Sequence, residues 1–116
     1  MTYDECFKYL HTIPELCSSP VIDVRYNTDE EQQFFYHDNR ICYMLNYKII
    51  FYKWDYVSNC DRYFLVSWTS IIYDQLTKDQ IDSSIKEYKK SEIEHIKYEK
   101  IQKAQKLIND IKQDFV

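Results

Sequence analysis

None of the 116 residues is glycine, where average usage near 7% would supply about eight. Glycine reaches positive φ at no steric cost and lets a backbone come close to a ligand. Phosphate-cradling loops, the dinucleotide fingerprint and the EF-hand calcium loop all depend on it, so none of them is present as usually built. A turn that needs positive φ must instead use Asp, Asn or another residue that tolerates the left-handed region.

With 45% apolar residues, a chain of this length can bury one core and is too short for two, so a single domain over 1–116 is expected. No stretch approaches the roughly 18 to 20 consecutive apolar residues that cross a bilayer, and Met1 to Leu10 lacks a basic segment followed by an apolar run. The expectation is a cytoplasmic chain with no membrane partner. Cys6, Cys17, Cys42 and Cys60 stand too far apart for a zinc knuckle or a dithiol redox pair, and read as buried thiols in a reducing compartment. No cofactor is expected.

Thr2-Tyr3-Asp4-Glu5 is a capping box, which places a helix within residues 1–14, with Cys6, Phe7, Leu10 and Ile13 on one stripe and Pro14 as its stop. Between Val21 and about Thr69 the period falls to two. Ile22, Val24 and Tyr26 alternate with polar residues as a first strand; Gln33 to His37 is a second; Asp38-Asn39 is the hairpin turn. Ile41 to Phe51 reads as one long third strand, its odd positions continuously apolar, and Tyr63 to Trp68 as a fourth. Phe34, Tyr43, Tyr47 and Phe51 are expected to face inward. Short connections imply an antiparallel meander.

Thr77-Lys78-Asp79-Gln80 is a second capping box and opens a helical segment over 77–115, about 55 Å long if continuous. Ile81, Ile85 and Tyr88 lie on one side, while Ile101, Ala104, Ile108, Ile111 and Phe115 lie about 140° around from them. Either the helix coils around a neighbour or it breaks near residues 90–92, where Ser91-Glu92-Ile93-Glu94 offers a third capping box; the break is favoured. Residues 101, 104, 108, 111 and 115 alternate threes and fours over about two heptads, as a self-association seam would. The fold class is therefore α+β: an N-terminal helix, a four-stranded antiparallel meander, and one long or two consecutive C-terminal helices.

His11, His37 and His95 fall on different elements, none with a second ligand at metal-site spacing. His95 shares a helix face with Glu92 and Glu99, which reads as a solvated ion-pair ladder with Lys89, Lys103 and Lys106. No nucleophile stands beside an oriented base, so no enzyme is expected. Residues 1–76 carry six Lys+Arg against eleven Asp+Glu, a net of −5, whereas residues 77–116 carry nine against eight, a net of +1. The sheet is thus a poor phosphate platform. A stripe of Lys86, Lys90, Lys97 and Lys100, within about 80° on a helical wheel, is the nucleic-acid alternative.

Aromatic residues make up 17% of the chain, twelve of them tyrosines, and such rings are favoured at protein interfaces. Tyr52 and Trp54, with acidic Asp29, Glu30 and Glu31, are the candidate protein-binding residues; the competing reading is that the C-terminal helix covers the two rings. The expected function is non-enzymatic binding of a larger protein, with homodimerisation through the C-terminal helix as an alternative. In general profile, short, acidic, glycine-free and motif-free, the chain resembles the small phage and mobile-element proteins that inhibit host factors, anti-CRISPR proteins among them. That resemblance implies steric occlusion of a host effector, one that itself binds nucleic acid being a candidate.

Overall fold

Two reciprocal side-chain caps set where the helices begin. Thr2 Oγ1 accepts from the Glu5 amide at 3.2 Å while Glu5 Oε1 accepts from the Thr2 amide at 3.3 Å, and Thr77 and Gln80 repeat the exchange at 3.2 and 2.9 Å. The computed structural model describes residues 1–20 and 31–114. Helix α1 (Tyr3–His11) precedes strands β1 (Cys17–Pro20), β2 (Gln32–Tyr36), β3 (Asn39–Met44), β4 (Lys48–Val57) and β5 (Arg62–Ile72); a 3-10 turn (Tyr73–Gln75) then leads into helix α2 (Lys78–Asp114). The strands form one antiparallel sheet in sequence order, so the fold is α+β.

The described residues contain five strands rather than the expected four. The alternating run over 21–27 lies outside the described residues, as do Asp29 and Glu30. β1 takes instead the unpatterned Cys17–Pro20, paired from Cys17↔Phe35 to Pro20↔Gln32. It is short and lies at the sheet edge, where a proline costs no ladder hydrogen bond.

The hairpin turn sits one residue earlier than expected. His37 and Asp38 both have positive φ, 48° and 65°, the two left-handed positions of a type I′ turn. The single long strand expected over 41–51 is two strands. The Leu45 amide donates to the Lys48 carbonyl at 2.9 Å, folding the chain back so that Cys42 pairs with Phe51 and Met44 with Ile49. All four are fully buried, whereas Tyr47, at the turn, is 59% exposed and does not face inward.

The core draws Cys6 and Leu10 from α1, Phe34, Ile41, Cys42, Met44, Ile49 and Phe51 from the sheet, Tyr73 and Leu76 from the connection, and Ile81, Ile85 and Tyr88 from α2. No helix among the described residues is long and apolar enough to cross a membrane. α2 is continuous through residues 90–92, and its last buried residue is Glu92. Residues 99–114 are exposed throughout, a projection of about 24 Å. The radius of gyration is accordingly 18.2 Å with a longest extent of 63 Å, against about 13 Å for a compact domain of this length.

Candidate functional site

Trp54 is not a free contact residue. The β3–β4 ladder ends at Cys42↔Phe51 although both strands continue beyond it, so the Trp54 amide needs another acceptor. Ser91 Oγ supplies it at 3.0 Å and itself donates to the Tyr88 carbonyl at 2.7 Å. The indole Nε1 donates to the Tyr88 hydroxyl at 3.3 Å, and the ring stacks on His95 at 4.0 Å. Trp54 therefore fastens the sheet to α2. The same bonds explain why the expected helix break is absent: Ser91 is engaged in stitching the helix to β4 and does not cap a new one.

Tyr52 and Glu31 meet in a separate, half-buried cluster. The Arg40 guanidinium lies 5.6 Å from the Tyr52 ring and 5.1 Å from the Tyr43 ring, and its Nε donates to Gln33 Oε1 at 3.0 Å. The Tyr43 hydroxyl donates to the Glu31 carboxylate. Burial, then that hydrogen bond, pushes the Tyr43 phenol up to about 12. Of the five candidate protein-binding residues, the structure thus joins two, assigns one to internal packing, and leaves Asp29 and Glu30 outside the described residues.

Of the expected ion-pair ladder on α2 the His95–Glu99 step is present, while Glu92 and Lys89 make longer-range contacts instead. Glu92, 7% exposed, bonds His37 Nδ1 at 2.7 Å across 55 residues of sequence. His95 Nε2 lies 3.4 Å from Glu99, and Lys89 pairs with Glu15 at 2.5 Å. His37, Asn39, Trp54, Glu92, His95, Ile96 and Glu99 line a cleft of about 380 Å³, next to which Glu92 Oε2 and His95 Nδ1 are buried without a hydrogen-bond partner among the described residues. The cleft offers an acid–base pair with no Ser, Cys or Lys in its wall to serve as a nucleophile. No cluster of three or more ligating side chains able to hold a metal exists among the described residues. Burial pushes the Cys6 thiol up to about 12 and the Cys42 thiol well above its ordinary value. Cys17 and Cys60 are exposed and not buried as expected, and all four are free.

Lys86, Lys90, Lys97 and Lys100 are all exposed, and none enters an ion pair among the described residues. They share the outward side of α2 with the apolar seam, which begins where α2 leaves the sheet. The exit point is an aromatic clamp on the β4–β5 turn. Tyr98 Oη donates to the Asp61 carbonyl at 2.9 Å and to its carboxylate, and Tyr56 Oη donates to the same carboxylate at 2.5 Å. The Tyr56, Tyr63 and Tyr98 rings lie 5.3 to 5.5 Å apart. Those two phenol donors, Tyr56 first, hold the Asp61 carboxyl below its ordinary 3.8.

Beyond the clamp, Ile101 is 63%, Leu107 61%, Ile108 47% and Ile111 48% exposed, with Ala104 exposed among them. Phe115, the last expected seam residue, lies outside the described residues. The other exposed large apolar residues are Ile93 and Ile96, on α2 just before the clamp, and Tyr47, Tyr56, Trp68 and Ile72, which lie outside α2 and form no run of comparable length. Three-and-four spacing reveals the seam in the sequence but not Leu107, which flanks it; the clamp joins residues 37 apart and has no local signature. Comparisons with protein families, curated proteins and solved structures find no match to this chain.

Proposed function

We propose that the protein is a non-catalytic binding protein, in which α1 and the sheet anchor the inner half of α2 and hold out its outer half as a contact rod for another protein. The observation that carries this is the solvent-exposed seam of Ile101, Ala104, Ile108 and Ile111 on a helix that has left its own sheet. Burying one such isoleucine fully is worth about 1.5 to 3 kcal/mol, and a helix with an apolar stripe in water is the usual donor in helix-against-helix recognition. The complementary surface is an apolar helical face. A rod of about 24 Å acts by occupancy, so blocking a larger effector sterically, as the inhibitor profile of the sequence implies, fits within this reading. Affinity capture from host lysate, under nuclease treatment and raised salt, tests it. A stoichiometric protein captured by the parent and lost with Ile108→Lys supports the proposal; capture unchanged by Ile108→Lys contradicts it.

The four exposed lysines without ion-pair partners favour a second reading, in which the outward side of α2 tracks a nucleic-acid backbone. That reading requires an affinity that falls steeply with salt and falls again when Lys86, Lys90, Lys97 and Lys100 are neutralised together. The net −5 of residues 1–76 opposes it.

A further inference from the structure

We infer that the outer half of α2 pairs antiparallel with the outer half of α2 in a second copy of this chain. The inference rests on the projecting helix being a protein-contact surface, and names its occupant. In heptad terms Ile101 and Ile108 occupy a, Ala104 and Ile111 occupy d, Lys100, Leu107 and Asp114 occupy g, and Gln105 and Lys112 occupy e.

In an antiparallel pair, a faces d of the other helix and g faces g. Ile101 then packs on the second copy's Ile111 in the outer layers, and Ala104 on its Ile108 in the inner ones, so that each alanine meets a large residue. Lys100 faces the second copy's Asp114, and by symmetry Asp114 faces its Lys100, giving two opposite-charge pairs. Leu107 meets the second copy's Leu107 across the two-fold axis, which accounts for an apolar residue at a flanking position.

A parallel pair in register has none of this complementarity. Lys100 would face Gln105, Leu107 would face the charged Lys112, and Ala104 would face Ala104, leaving a thin layer in the seam. Charge pairing at the flanks helps to set helix orientation because mismatched flanks are penalised, and here the core layers favour the same orientation. Length agrees as well. The axis falls near Leu107, the middle of the exposed run 99–114, so the overlap covers the whole projection and ends near each copy's Tyr98–Asp61 clamp. The contact is isologous and closes at a dimer.

Sedimentation equilibrium of the whole chain over a wide concentration range tests the inference. The parent is expected to reach a dimer, and Ile108→Lys to stay monomeric with unchanged circular dichroism, since residue 108 is no part of the monomer's core. Lys100→Asp and Asp114→Lys are each expected to weaken the dimer about tenfold. Mixed in equal amounts, those two variants are expected to form a heterodimer tighter than either alone, because every flank is then complementary. A parent that is monomeric throughout, or a mixture with no preference for the heterodimer, overturns the antiparallel pairing. The contact-surface reading would then still stand if lysate capture of a different protein is lost with Ile108→Lys, and would fall with it if that capture is unchanged.

Discussion

The inner and outer halves of α2 have similar chemistry and opposite fates. Both are rich in lysine and isoleucine, both lack Pro and Gly, and both carry an apolar stripe at helical spacing. In the inner half Ile81, Ser84, Ile85, Tyr88, Ser91 and Glu92 are buried; in the outer half no described residue is. The difference lies in what stands opposite. The inner stripe faces the sheet and is fixed to it by Ser91 and Glu92, while the outer stripe lies on the far side of the helix and begins where the sheet ends. A periodic apolar stripe shows that a face is built for burial, and the surroundings decide whether the chain itself supplies the cover.

The largest effect that separates the halves is a truncation in each. Tyr88→Ala empties a fully buried site and should cost about 3 to 5 kcal/mol in urea unfolding of the monomer, whereas Ile108→Ala should stay within about 0.5 kcal/mol. Equal losses would break the comparison. Next is the stitch between sheet and helix. Ser91→Ala strands the half-buried Trp54 amide and should cost about 1 kcal/mol, again by urea unfolding, with a loss of the Trp54 environment visible in fluorescence.

A smaller effect concerns the clamp at the boundary. Because the Asp61 carboxyl is held below its ordinary 3.8, its contribution is complete above that pH and disappears only as pH falls through the lower folded value. The protection of amides around Tyr98, taken relative to their intrinsic exchange at each pH, should therefore be insensitive to Asp61 titration between pH 7 and pH 4 and fall below it, and Asp61→Asn should remove that acid step. At the small end, replacing Lys86, Lys90, Lys97 and Lys100 with Gln should leave monomer stability within about 0.5 kcal/mol, as expected of solvated side chains. Thiol chemistry follows the same division between covered and open: Cys17 and Cys60 should react with a thiol reagent in the native protein, and Cys6 and Cys42 only after unfolding.

What could be read in advance was local. Thr2 with Glu5, and Thr77 with Gln80, announce helix starts because donor and acceptor lie three residues apart. The turn after Met44 was hidden because Leu45 and Tyr47 continue the apolar odd positions of a strand, and only pairing between Cys42 and Phe51 reveals the fold-back. The first turn was displaced by one residue because His37-Asp38 and Asp38-Asn39 are both tolerable left-handed pairs without glycine. Ser91 can cap a helix or bond a strand. Which it does depends on Trp54, 37 residues earlier, just as the role of Glu92 depends on His37. The seam was visible because its spacing is local; the clamp that frees it from the sheet was not.

A contact surface on the outer half of α2 gains protection when a partner covers it, and amide hydrogen exchange along α2 at low and high protein concentration reads that gain residue by residue. Residues 81–95 are expected to exchange only through global unfolding at either concentration, and residues 101–114 to exchange fast when dilute and at least tenfold more slowly when concentrated, a gap of about 1.4 kcal/mol. Protection that is equally high in both halves at the lowest concentration would contradict the contact-surface reading.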